Sequence, residues 1–222
     1  MFTLLNALSG LTAILLAAGG QVEWAIYAIF LGILLDGVDG AVSRMGKGGG
    51  PLGGTLDTLS DTVSFVVAPA VIILASEHLE VFSKGGWPVL IVAAFYASCG
   101  LLRLARFEAL RQEVPRHYFS GLPTPGAALL LLGMILLRLP LAVVLPTAFV
   151  CAVLMVSRIR YPKLRSKGGI LALSSIVAVL ATIPYVRVHE LATYTLLSLM
   201  IFFILAGPFY VLTRYGPVKV RR

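Results

Sequence analysis

The stretches VEWAIYAIFLGILLDGVDGAVSRM, residues 22–45, and GTLDTLSDTVSFVVAPAVIILAS, residues 54–76, decide the fold. Each is long enough, at about 1.5 Å of rise per residue, to carry a helix across a hydrocarbon layer of about 30 Å. Each also holds two aspartates: Asp36 and Asp39 in the first, Asp57 and Asp61 in the second. An acidic side chain at membrane depth is expensive and ordinarily has a function. Residues three or four apart share a helix face, so the four carboxylates form two pairs. Like charges held that close repel one another, and hard divalent cations match carboxylate oxygens, so two facing helices would hold one or two metal ions. Gly37, Gly40, Gly53 and Gly54 remove side-chain bulk around the pairs and would let a flat or phosphorylated ligand approach the backbone. Arg44, about one turn beyond Gly40, supplies a fixed positive charge suited to phosphate. The competing reading of each carboxylate is a structural ion pair with a nearby arginine.

The rest of the chain repeats the hydrophobic character of these stretches. Of its 222 residues 59% are apolar and 13% charged, which excludes an ordinary soluble domain and indicates a polytopic membrane protein. The sequence predicts an all-α membrane bundle of about eight transmembrane helices, at about 2–19, 22–45, 54–76, 87–111, 121–138, 141–157, 169–184 and 190–213. Pro140 and Pro184 fall at turns between spans. The first span lacks a basic leader and is expected to be retained. No linker or internal repeat divides the chain, so residues 1–222 are expected to form one domain. Embedded polar residues concentrate in the first part, giving a catalytic core of about 1–165, with 166–222 mainly scaffold. Gly126, Ala127, Ala128 and Gly133 suit close helix contact.

With eight spans and the N-terminus inside, all but Lys84, Arg138 and Arg187 of the 18 lysines and arginines fall on one side. The positive-inside rule makes that side cytoplasmic, with both termini there and the aspartates near the cytoplasmic boundary. Topology and attraction to anionic head groups account for the net charge of +8, and no nucleic-acid partner is implied. Cys99 and Cys151 read as small packing residues. His78, His117 and His189 lack metal spacing, and Trp24 and Trp87 suit interfacial anchoring.

The string Asp36-Gly37-Val38-Asp39-Gly40-Ala41-Val42-Ser43-Arg44, eight residues, then Gly53-Gly54-Thr55-Leu56-Asp57-Thr58-Leu59-Ser60-Asp61 resembles the signature of the CDP-alcohol phosphatidyltransferase family. That pattern is Asp-x2-Asp-Gly-x2-Ala-Arg, eight or nine residues, then Gly-x3-Asp-x3-Asp. Ser43 stands where the family usually has Ala. Further segments resemble the membrane-embedded branch that transfers phosphatidyl, or in archaea archaetidyl, groups to serine. These are Phe2 to Gly10, Arg103-Leu104-Ala105-Arg106-Phe107, Gly121-Leu122-Pro123-Thr124-Pro125 and Met155-Val156-Ser157. The resemblance covers roughly residues 2–165, and Glu108 departs from it, standing where related sequences often carry Asn.

The resemblance implies transfer of a phosphatidyl-type group from a CDP-lipid to L-serine, with release of CMP. It makes Asp36, Asp39 and Asp57 metal ligands, and Asp61 both a contact to a second ion and the general base. The ions would be Mg2+ or Mn2+, two in number. Gly40 and Gly53, with Asn6 and Ser43, would border the CDP-lipid, and Arg44 would meet phosphate. A homodimer is also implied. For the serine carboxylate, Arg103 and Arg106 are candidates, since a guanidinium binds carboxylate in bidentate fashion; topology anchoring is the alternative. The stiff segment Gly121–Pro125 is either a closing lid or a plain helix break. Rival readings are the same chemistry on glycerol 3-phosphate or inositol phosphate, and a divalent-cation transporter. The transporter reading calls for acidic residues in both halves of the membrane or inverted repeats, neither of which the sequence displays.

Overall fold

A computed structural model describes residues 2–42, 51–76, 86–110, 118–162 and 186–215. Two long helices open the chain, α1 (Phe2–Ala18) and α2 (Val22–Val42). Next comes α3 (Pro51–Asp61), which runs through a π turn (Thr62–Val67) into α4 (Ala68–Ala75) without a break. The remaining helices are α5 (Trp87–Ala109), α6 (Thr124–Leu136), α7 (Leu141–Val156) and α8 (Val186–Tyr215). These elements coincide closely with the expected spans, apart from 169–184, which lies outside the described residues together with Pro184.

Three helices, Leu52–Ala75, Trp87–Ala109 and Ala192–Val211, are long and apolar enough to cross a membrane. Helices α1, α6 and α7 are apolar but shorter, so the described helices establish a membrane-type bundle and not a count of eight crossings.

Helix α1 shows why this bundle suits lipid. It turns Leu4, Leu8, Leu11 and Leu15 outward, 48–66% exposed, and buries Thr3, Asn6, Ser9, Gly10, Ala13 and Ala17. In water that arrangement would be inside out. Against lipid tails, small residues permit close backbone approach and buried polar groups join helices by hydrogen bonds. At Gly10 the approach is extreme, for a Cβ there would lie 2.5 Å from Ser64 Oγ and 2.7 Å from Ser64 Cα. The inner core is built from Ile26, Ile29 and Phe30 of α2, Phe65, Ile72 and Ile73, Tyr96 of α5, and Leu131 and Leu132 of α6.

The α1–α2 turn is a Schellman motif. Gly20 takes φ 77°, Gln21 N–H donates to Leu16 O at 2.8 Å, and Gly20 N–H to Ala17 O at 3.0 Å. The same motif ends α6, with Arg138 at φ 55° in the glycine position and Pro140 immediately before α7. Of the small residues expected at contacts, Ala127 and Ala128 are fully buried, and a Cβ on Gly133 would lie 2.8 Å from Leu197 of α8. Gly126 instead faces open space, so no close contact explains it.

An antiparallel ladder of β1 (Tyr118–Ser120) and β2 (Arg160–Pro162) adds to the all-α expectation, pairing Phe119 with Tyr161. Three-residue strands between Pro, Gly and Arg leave no readable period. Tyr161 is buried against Phe203 of α8, with ring centroids 5.8 Å apart. Cys99 and Cys151 are both buried free thiols, and Trp24 and Trp87 are exposed.

Candidate active site

The site is assembled where the C-terminal part of α2, all of α3 and the first turns of α1 converge. Asp36, Asp57 and Asp61, each half-buried, present carboxylate oxygens that all lie within 4.8 Å of one another. Asp57 and Asp61 are four apart on α3 and share a face, as their spacing predicts. Asp39 is turned elsewhere: its Oδ2 accepts a hydrogen bond from Thr3 Oγ1 at 2.5 Å.

Helix α1 fixes the height of this cluster. Ser60 Oγ donates to Thr3 O at 2.8 Å and Ser64 Oγ to Asn6 O at 2.7 Å, so hydroxyls on either side of Asp61 stitch its helix to α1. Asn6 Nδ2 donates to Asp61 Oδ1 at 3.4 Å. Its Oδ1 is buried with no hydrogen-bond partner among the described residues, facing Gly32, where a Cβ would sit 2.9 Å away. The π turn begins at the residue after Asp61, a departure from regular helix of the kind found at functional sites.

Three segments of the weaker sequence resemblance meet on α5. Arg103, 7% exposed, donates from Nη1 to Thr124 Oγ1 at 3.2 Å, and its charge acts on Asp61. Its Nε has no partner among the described residues. Arg106 is committed differently. Its Nη1 donates to Val156 O at 3.0 Å, and its Nη2 to Ser120 O and Ser157 O at 3.3 Å. It therefore ties α5 to the end of α7 and to β1. Gly121, at φ 80°, donates its N–H to Ile159 O at 2.8 Å, and Leu122 N–H to Leu154 O at 3.0 Å. Leu122 and Thr124 are fully buried, so Gly121–Pro125 is pinned at both its backbone and its side chains, as a helix break is and a lid is not.

Of the nucleotide candidates, Gly40 is half-buried on α2, and Gly53 stands where an added Cβ would meet nothing within 4 Å. Ser43 and Arg44 lie outside the described residues. Sequence reading passed over Thr3, Ser60, Ser64 and Thr124; their signal was a buried hydroxyl in an apolar helix, which is common in membrane bundles. It also passed over Thr55 and Thr58, whose Oγ1 atoms donate to Glu108 Oε1 at 3.3 Å and Oε2 at 2.9 Å.

The donor set suits a divalent cation. Three carboxylates offer only hard oxygen ligands, their mutual repulsion is relieved by positive charge, and the single nearby guanidinium of Arg103 cannot balance all three. This acidic cluster could hold a divalent metal.

Comparison with known proteins agrees with this chemistry. A family model described as CDP-alcohol phosphatidyltransferase matches residues 1–159. A Methanocaldococcus jannaschii protein named CDP-diacylglycerol–serine O-phosphatidyltransferase is 37% identical over 165 residues, which is 74% of this chain and 73% of its own length. A Helicobacter pylori protein of the same name is 29% identical over 202 residues, 86% of this chain and 82% of its own. A third, from Mycobacterium bovis, is 35% identical over 143 residues, 62% of this chain, and the match spans only 48% of its length, so this chain corresponds to about half of the mycobacterial relatives. With more than half of its residues matched by the family model and its aspartates gathered as that signature requires, the chain belongs to the CDP-alcohol phosphatidyltransferase family.

Proposed function

We propose that this protein transfers the phosphatidyl-type group of a CDP-lipid to L-serine and releases CMP. The observation that carries the reading is the convergence of Asp36, Asp57 and Asp61 within 4.8 Å inside an apolar bundle. The three relatives named above bear the name of that reaction.

Asp36, Asp57 and Asp61 would hold Mg2+ or Mn2+, two ions in the full complement, with Asp39 joining them by exchanging its bond from Thr3. Bound there, divalent metal supplies charge neutralisation for the diphosphate and for the departing CMP. Gly40, Gly53 and Asn6, with Ser43 and Arg44, border the CDP-lipid. Asp61 takes the proton from the serine hydroxyl as its oxygen attacks phosphorus. The phosphoanhydride bond to CMP breaks as the new phosphoester bond forms, so no protein nucleophile is needed. Arg103, with an unused Nε beside Asp61, receives the serine carboxylate in preference to Arg106, whose donors are engaged by backbone carbonyls. The chain works as one domain of eight spans in a homodimer, with both termini and the site on the cytoplasmic side.

The test is an acceptor screen on purified protein. CMP release should require CDP-lipid, divalent metal and L-serine together. Turnover with glycerol 3-phosphate or inositol phosphate in place of serine would defeat the acceptor assignment, and full activity after chelation would defeat the metal role.

A further inference from the structure

Glu108 departs from the family's usual residue, and the structure gives it a definite position. Its two carboxylate oxygens each accept one threonine hydroxyl, Oε1 from Thr55 at 3.3 Å and Oε2 from Thr58 at 2.9 Å. Those threonines flank Asp57 on α3, and Thr58 is one turn before Asp61. Glu108 is thus a half-buried carboxylate oriented by two hydroxyls on a rigid helix, immediately beside the acidic cluster. A carboxylate has about four acceptor sites, so the group can serve further donors besides these two.

The second feature is charge spacing. Arg103 and Glu108 lie five residues apart on α5, a rise of about 7.5 Å. Helices α3 and α5 run so that Arg103 acts on Asp61 while Glu108 meets Thr58. Two charge-assisted hydrogen bonds of about 2.8 Å each, plus the width of an α-amino acid head group, span a comparable distance. A cationic and an anionic partner so placed complement a zwitterion. They oppose a phosphorylated alcohol, whose dianion would face Glu108.

Resting on the serine reading above, we infer that Glu108 is the specificity-determining residue that receives the acceptor's ammonium group while Arg103 receives its carboxylate. The charge of Glu108, and not only its bonds to Thr55 and Thr58, then selects an amino acid over a phosphorylated acceptor.

The experiment measures CMP release by the full chain with CDP-diacylglycerol and Mn2+, for the wild type, Glu108→Gln and Glu108→Asp. Gln keeps an oxygen that can accept from a threonine and removes the charge; Asp keeps the charge on a shorter arm. Glu108→Gln should raise the L-serine KM at least tenfold and leave the CDP-lipid KM within twofold. Its preference for L-serine over 3-hydroxypropionate, which is serine without the amine, should fall at least tenfold, and Glu108→Asp should recover part of both. Should Glu108→Gln prove inactive, equilibrium binding of labelled L-serine to the CDP-lipid-loaded protein reads the same contact. An unchanged serine KM or affinity with unchanged discrimination overturns the inference and leaves Glu108 as a clamp between α3 and α5. Wild-type protein that uses glycerol 3-phosphate but not L-serine removes the serine reading and this inference together. That arm involves no variant, so the two failures are distinguishable.

Discussion

Helices α2 and α3 each contribute two aspartates, yet α3 delivers both to the cluster and α2 only one. On α3, Asp57 and Asp61 are four residues apart, an offset of about 40° around the axis. On α2, Asp36 and Asp39 are three apart, an offset of about 60° in the opposite sense, which swings Asp39 toward α1 and Thr3. Sharing a face is therefore necessary for convergence and not sufficient; the third helix decides which carboxylate is intercepted. A hydrogen bond to a charged group contributes about 1.5–3 kcal/mol, so Asp39 is held away by an amount a bound divalent ion can readily exceed.

The largest expected effect tests the complete pair. Asp61→Asn keeps size and a hydrogen-bonding oxygen but cannot take a proton, so CMP release should fall by about 10^3-fold, within the range of general-base catalysis. Binding of CDP-lipid, followed by equilibrium titration, should be largely kept. Nearly full activity in this variant would remove Asp61 from the proton-transfer role.

The incomplete pair gives a graded effect. Asp36→Asn should raise the Mn2+ concentration for half-maximal activity by at least about tenfold, because it removes a ligand already in place. Asp39→Asn should cost less, since recruiting Asp39 requires breaking its bond from Thr3. Equal costs would mean that the loaded site draws in both aspartates fully, and Thr3→Val would then tighten metal binding by freeing Asp39.

The packing between the two regions comes next. Gly10→Ala would drive a methyl group into Ser64, backbone included, and overpacking of this kind costs about 1–3 kcal/mol. The melting temperature in detergent should drop. Because Ser64 belongs to the turn after Asp61, turnover should fall further than the folded fraction alone explains; loss of stability with unaltered specific activity would show that α1 does not position Asp61.

These contrasts also mark how far the sequence could be read. Helices α1, α2 and α5 lie within a few residues of their expected spans because long apolar runs bounded by Gly, Pro and basic residues leave few alternatives. The gathering of Asp36, Asp57 and Asp61 was legible for a related reason: intramembrane carboxylates must meet something, and each other's helices were the available partners. Interception of Asp39 by Thr3 was not legible, because it depends on how α1 rotates against α2. Nor was the division of labour between Arg103 and Arg106, which have the same residue type and near-identical contexts. Only the end of α7 and the short β1–β2 ladder, placed beside Arg106 by tertiary packing, tell the two apart.

The smallest effect lies at the opposite end of α1 and α2. The Schellman motifs at Gly20 and Arg138 are the same backbone device built with different residues, and only Arg138 bears a Cβ at positive φ. Arg138→Gly would relieve that strain, a gain approaching 1 kcal/mol, and the same change increases the freedom of the unfolded chain, which works against it. It also removes the Arg138–Glu23 ion pair at 3.0 Å, but both side chains are more than half exposed and such a pair contributes little. The net change in melting temperature should therefore be within a few degrees, with CMP release unaffected, because the substitution is separated from the aspartates by the full length of α2. A large fall in stability would mean that the Glu23 contact organises the α1–α2 and α6–α7 turns jointly, and a fall in turnover at unchanged stability would show that the two ends of the bundle are mechanically coupled.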